Sequence, residues 1–275
     1  MDQFILPSTF HWQPGEQPNE ATVTIEPCYF GYGTTLGNAL RRVLLSSLEG
    51  AAVTAVKIDG ISHEFAALSH VQEDALELLM NLKQLRLKIF SDEPVRLVLE
   101  ASGKGPVTAA AITPQADVEI VNPELQIAML TADGATLRME ISAERGRGYV
   151  AADVRGKERA PLGTMTLDSV FSPVRNVGFR VENTRVGEIT NYDRLVLTVE
   201  TDGTITPEEA VRRGAEVLIN HFALIVHPPE ETEAPVESLM ESEQRVLEPV
   251  GGESIVEDTL QGPAASAGDD ESETV

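Results

Sequence analysis

The chain has 275 residues, a mass of 29.7 kDa and 42% apolar residues, which is enough material for two compact units with cores of their own. Its 44 Asp and Glu outnumber 21 Lys and Arg, and the resulting charge of −23 repels phosphate over most of the surface, against a free-standing DNA or RNA binder. Cys28 is the single cysteine, so neither an internal disulfide nor a cysteine-rich zinc site can form, and no window reaches the roughly 18 apolar residues of a membrane span; a reducing cytoplasm is the expected setting.

The charge is uneven. Residues 229–275 hold 14 acids and one Arg, whereas residues 1–228 hold 30 acids and 20 bases. Beyond Pro228-Pro229 the acids, Ser, Gly and Pro leave too little apolar surface to offset chain entropy of about 1 to 2 kcal/mol per residue, so residues 228–275 read as a disordered acidic tail. Residues 236–250, with Leu239, Met240, Val246 and Leu247, are the part of it with something to dock.

From the amino terminus, residues 21–25 read as a strand, followed by Gly31, Gly33 and Gly37. The third glycine comes one residue late for a dinucleotide loop and no P-loop lysine follows, so the glycines read as a tight turn and a site of close backbone approach. A small-molecule or nucleotide-binding enzyme built on this loop is the rival reading. A helix is expected over residues 35–48 with Gly50 as its stop. Leu36, Leu40, Val43, Leu44 and Ser47 line one stripe of it, yet Ala39, Leu45 and Leu48 fall outside, so this helix needs cover on more than one side. Arg41 and Arg42 sit within it, either reaching solvent or received by an acidic or carbonyl-rich partner.

Further strands are expected over residues 53–58, 85–90 and 95–99. A second helix is expected to start from a Ser69 cap backed by Gln72, with Val71, Ala75, Leu78, Leu79 and Leu82 on its inner face. Residues 101–170 read as strand-rich, with strands at 118–121 and 137–142 and a polar loop at 152–163. Strands return at 177–181 and 195–201. Thr206-Pro207-Glu208-Glu209 then combines a hydroxyl cap, proline at the first helical position and a capping-box glutamate, and predicts a third helix. Val211, Ala215, Leu218, Phe222 and Ile225 repeat along that helix, with Leu224 and Val226 off the stripe. The fold class is α+β.

No catalytic constellation emerges. His63-Glu64 lacks the second histidine of a zinc protease helix, Ser46-Ser47 lacks a nucleophile elbow, and the adjacent acids Asp92-Glu93 and Asp269-Asp270 read as solvated. His11, His63, His70, His221 and His227 are scattered along the chain. Arg145-Gly146-Arg147-Gly148-Tyr149 is a compact basic-aromatic run, which reads as a hairpin with an exposed polar edge rather than a phosphate site. No metal or cofactor is expected.

Residues 30–47, FGYGTTLGNALRRVLLSS, closely resemble the amino-terminal part of the bacterial RNA polymerase alpha-subunit family. Colinear matches follow at residues 53–64 (VTAVKIDGISHE), 71–74 (VQED), 81–83 (NLK), 105–110 (GPVTAA), 145–150 (RGRGYV), 172–174 (SPV) and 204–212 (TITPEEAVR), so the resemblance spans roughly residues 15–227. It implies a two-subdomain fold, with residues 1–49 and 169–227 forming a dimerisation subdomain and residues 50–168 an inserted strand-rich subdomain. It also implies a homodimer whose interface draws on the stripes Leu36, Leu40, Val43, Leu44, Ser47 and Val211, Ala215, Leu218, Phe222, Ile225.

The resemblance further implies that the chain is a non-catalytic scaffold of DNA-directed RNA polymerase, a nucleotidyltransferase. It recruits beta through Arg42 and Leu45 and beta-prime through Glu77, Lys83, Leu167 and Ser172. Omega and sigma join in the holoenzyme, and DNA is met only through the assembled enzyme. The family's carboxy-terminal DNA-binding helices cannot be drawn from residues 229–275, so upstream promoter binding by this chain is expected to be absent. Residues 31–34 and the pair Arg175-Asn176 depart from the family's commonest residues.

Overall fold

The computed structural model describes residues 5–155 and 163–228. The expected disordered tail, its docking stretch and Asp269-Asp270 lie outside the described residues, as does much of the expected loop at 152–163.

A four-stranded antiparallel sheet, in the order β1-β2-β14-β13, is built from β1 (Thr9–Pro14), β2 (Glu20–Cys28), β13 (Val174–Val186) and β14 (Ile189–Thr201). On one face, Val23, Ile25, Val177, Leu195, Leu197 and Val199 are buried against α1 (Tyr32–Ser46) and α4 (Pro207–Val226). The other face is polar, as the period of two requires when one side of a sheet meets water. There Arg194 donates to Glu26 Oε2 at 2.6 Å and Thr184 Oγ1 donates to the same oxygen at 2.9 Å.

The second four-stranded antiparallel sheet, β11-β3-β9-β5, uses β3 (Glu49–Ile58), β5 (Val95–Ser102), β9 (Thr136–Arg147) and β11 (Thr164–Thr166). It shares its core with α2 (Ala75–Leu82), where Val56, Leu78, Leu82, Leu99, Met139 and Ile141 are fully buried. The two-stranded pairings β4 (Leu87–Ile89) with β7 (Val118–Ile120), and β6 (Gly105–Thr108) with β8 (Gln126–Leu130), complete this unit. The pair β10 (Tyr149–Val150) and β12 (Ser169–Val170), and the one-turn α3 (Ala152–Arg155), precede the return to the first sheet.

Several boundaries differ from the sequence reading, each for a tertiary reason. α2 starts at Ala75 rather than after Ser69 and is capped by Asp74, whose Oδ1 accepts from the Glu77 N–H at 2.8 Å. Residues ahead of it are committed to strand-like pairing: Val71 bridges Leu130, Gln72 N–H donates to Met129 O, and Met129 N–H donates to Glu73 Oε2. Gly50 does not stop α1, which closes at Ser47; it lies in β3. The Phe171 carbonyl comes so near Gly50 that any side chain would collide with it, and at its cross-strand partner Gly146 a Cβ would meet the Phe171 ring at 2.9 Å. Arg145 pairs with Ala51 of β3, whereas β5 follows β9 only as far as Ala143, so among the described residues its other edge is without a strand partner. Its guanidinium donates to Asp92 at 2.7 Å and Glu49 at 2.8 Å, so its charge is already answered.

Gly37 marks a second close approach, since a Cβ there would meet the Phe179 ring at 2.5 to 2.9 Å. Gly37→Ala should cost about 1 to 3 kcal/mol by overpacking, read as a lower urea midpoint with an unchanged slope; Gly50→Ala, which meets backbone rather than a movable ring, should cost more. An unchanged midpoint in both would refute these contacts.

The Arg194 hydrogen bond holds the Glu26 carboxyl below the usual carboxylate range. A carboxyl lowered in the folded state stabilises above its unfolded value of about 4.3, and that stabilisation fades as pH falls through the folded value. Urea melts should show Arg194→Met losing stability near neutral pH and narrowing its gap from wild type under more acidic conditions. A gap independent of pH would remove the pair from the stability of this sheet.

Candidate subunit interface

α1 begins at Gly31, whose φ of 79° is left-handed, and it has no side-chain cap of its own. The cap arrives from β14: Gly33 N–H donates to Asp193 Oδ2 at 3.0 Å. A Cβ at Gly33 would meet Asp193 and Val181 at 2.9 Å, so this glycine admits the neighbouring sheet. The rival nucleotide-loop reading therefore loses its geometry, because the helix start that would receive phosphate already holds a carboxylate. Tyr29, Phe30 and Tyr192 cluster beside it, with Phe30 stacked on Tyr192 at 5.1 Å between ring centres. Asp193 and burial together push the Cys28 thiol up, burial contributing more. Cys28 is wholly buried, and its Sγ faces Ile25 O at 3.7 Å.

The two expected interface stripes divide along their length. Leu40 and Leu44 are buried in the chain's own core, and Leu36 and Val43 are half-buried beside them. Ser47 is half-buried and shares a 3.1 Å hydroxyl contact with Ser46. On α4, Val211, Ala215 and Leu218 pack on the same core, helped by Gly214, which sits against Leu44 and Val43. Phe222 and Ile225 do not, at 59% and 76% exposed. Ile219, Leu224 and Val226 are exposed around them, so residues 219–226 present large apolar side chains all round the helix.

The sequence reading missed Ile219 as part of this surface, and Phe10 as well. Phe10 pairs with Ile25 and so stands on the core-side face of the sheet, yet it lies 62% exposed on the edge strand. Alternation within Thr9-Phe10-His11-Trp12 was the available signal.

Arg41 and Arg42 reach the surface, and no side-chain hydrogen bond or ion pair joins either guanidinium to a described residue; Leu45 is exposed beside them. No acid occurs between Glu26 and Glu49, so α1 is a positive island in an acidic chain. Glu77 and Lys83 lie on the exposed side of α2, with Lys83 Nζ 3.3 Å from Asp168. The Asp168 carboxyl sits below its ordinary range, first because Ala152 N–H donates to it and then because of Lys83. Ser172 is half-buried, its hydroxyl donating to Val174 O at 3.2 Å. Leu167 is 2% exposed and belongs to the core around β3 and α2, so its side chain is occupied within the chain.

An open crevice of about 410 Å³ between β3, β4 and the start of α4 is lined by Phe90, Arg145, Glu209 and Arg213. Arg145 and Arg213 are both paired to carboxylates there, which leaves no cradle for an anion. Among the described residues no three His, Cys, Asp or Glu gather as a metal-holding group, and no helix is long and apolar enough to cross a membrane.

Residues 56–172 match the family described as RNA polymerase Rpb3/RpoA insert domain. This stretch is therefore similar to the insert domain of RNA polymerase subunits of the alpha/Rpb3 type, and the mixed helix and antiparallel-sheet architecture is compatible with the α+β class. The match begins near the end of β3 and ends just past the buried Phe171, so it takes in α2, β5, β9 and β11 while leaving out α1, α4 and most of β3.

Surface position separates the candidate contacts from core residues. Arg42→Ala and Leu45→Ala should each change folding stability by within about 0.5 kcal/mol, whereas Leu44→Ala should cost about 2 to 5 kcal/mol. Urea unfolding of the three variants checks this, and a strongly destabilised Arg42→Ala would mean that the guanidinium supports the fold.

Proposed function

We propose that this chain is the assembly subunit of a DNA-directed RNA polymerase: a homodimer that recruits the beta and beta-prime subunits and itself performs no catalysis. The observation that carries the reading is the bare apolar half of α4, residues 219–226, on a chain that also holds the polymerase insert domain. Five large apolar side chains left in water forgo about 1.5 to 3 kcal/mol each on full burial, a strong drive towards a second surface. A two-fold arrangement satisfies it with one patch meeting its own copy.

In this reading residues 1–49 with 169–227 form the dimerisation subdomain and residues 50–168 the insert. Phe222 and Ile225 supply the interface centre, with Val211, Ala215, Leu218, Leu36, Val43 and Ser47 at its inner margin. Leu40 and Leu44 act from below, holding α1 and α4 in place rather than touching the second copy. Arg42 and Leu45 receive beta. Glu77, Lys83 and Ser172 receive beta-prime, with Leu167 supporting that surface from the core. Omega and sigma complete the holoenzyme, DNA is met through the assembly, and the setting is the cytoplasm.

Native mass measurement of the purified chain tests this directly. Wild type should give twice the chain mass at micromolar concentration, and Phe222→Asp with Ile225→Asp should shift the population to single copies while the far-ultraviolet spectrum stays unchanged. A wild-type chain that remains a single well-behaved copy would remove the scaffold reading.

A further inference from the structure

The spacing of Ala210, Gly214, Val217 and His221 puts them in one row along α4, on the face that the first half of the helix turns into the core. The support beneath that face ends before His221, which is exposed. Its neighbours one turn away are Val217 and Leu218 on one side and Leu224 and Ile225 on the other, all apolar. The ring is held in place: Nδ1 lies 2.7 Å from Val217 O, and since a carbonyl only accepts, Nδ1 carries the hydrogen and the proton-accepting lone pair is on Nε2. No carboxylate lies within four residues of His221 along the helix. Of the other charged or titratable groups on α4 and its cap, Glu208, Arg212, Glu216 and His227 are exposed, and Glu209 is paired with Arg213. α1, packed alongside, contributes only the cations Arg41 and Arg42. On β2 and β14, Glu20, Glu26, Arg194 and Glu200 alternate onto the polar face of the sheet, away from the helices, and Asp193 caps α1.

We infer that His221 is a proton-sensitive switch of the homodimer: the neutral ring admits a second copy, and the protonated ring drives the copies apart. This inference rests on the interface of the proposed function and adds its regulation. A surface that covers Phe222 and Ile225 also covers the face between them, which carries His221. Histidine changes its charge between about pH 5 and 8, and a charge enclosed by apolar side chains without an anion is strongly disfavoured. The single copy in water accepts the proton and the pair excludes it, so pairing is fully favoured above that range and weakens as pH falls through it. Acid acts the other way on the rest of the chain, because reducing a charge of −23 relieves repulsion between copies. Pairing that weakens in acid therefore points to a group that must stay neutral at the contact.

Sedimentation velocity of the full chain tests this, as dilution series at about pH 8 and about pH 5.5, towards the two ends of the histidine range. Wild type should pair about 10-fold or more weakly at the lower value, the loss expected when each copy must release a proton to pair. His221→Gln, uncharged at both values, should change its dissociation constant by less than about threefold. His227→Gln, altered beyond the end of the helix, should keep the wild-type loss. Loss of fold in acid would weaken wild type and His221→Gln alike, so the contrast between them reads the ring itself. Wild type that pairs equally tightly at both values, or His221→Gln that weakens as steeply as wild type, would overturn the inference and leave the scaffold reading standing. Wild type that stays a single copy even at the higher value would overturn both.

Discussion

The seat of α1 on the first sheet is the contact from which the arrangement of interaction surfaces follows. Gly33 and Gly37 let the helix sink until Asp193, Val181 and Phe179 touch its backbone, and Leu40 and Leu44 then fill the space beneath. α4 is laid against this assembly through Gly214, which meets Leu44 and Val43. Ala210 and Gly214 are the fully buried residues of α4, both in its first half, so the helix is anchored early and runs on beyond its support. The bare apolar end is thus a consequence of where the anchor lies, and an isolated amphipathic surface of that kind is stable in water only with further cover.

The join between the two cores depends on equally tight terms. Gly50 and Gly146 face each other across β3 and β9, and together they admit the ring and carbonyl of Phe171 as the chain leaves the second sheet for the first. Close by, Asp202 accepts from Thr204 N–H and lies 4.0 Å from the guanidinium of Arg86, which belongs to the α2–β4 connection. Burial makes that guanidinium easier to deprotonate than usual, and its Nε finds no hydrogen-bond partner among the described residues. Nearby, Arg145 is answered by Glu49 and Asp92, and Arg213 by Glu209.

Charge also separates the two outward surfaces. The exposed side of α1 offers Arg41 and Arg42 with no acid in its stretch of chain, while the exposed side of α2 offers apolar side chains within an acidic margin. Under the proposed function these surfaces suit different partners, because the sign that attracts one repels the other.

Local chemistry made some of this legible in the sequence. Thr206-Pro207-Glu208-Glu209 holds the start of α4 because its signal is short-range: the threonine hydroxyl accepts from Glu209 N–H within one turn. The alternation of branched residues likewise marked the inner strands, and the excess of apolar residues on the first and third expected helices marked a need for cover. Which of them lacked it was decided by the fold, since Leu40 and Leu44 disappear under the chain's own sheet whereas Ile219 to Val226 do not. The start of α2 was unreadable because β8 takes up the backbone of residues 71 and 72 and the side chain of Glu73, and the role of Arg145 was unreadable because Glu49 and Asp92 reach it from distant positions. Sequence determines what a few neighbouring residues can settle among themselves; hydrogen bonds and ion pairs between segments far apart in the chain exist only once the sheets have formed, and those contacts decide which apolar and charged groups remain free for a partner.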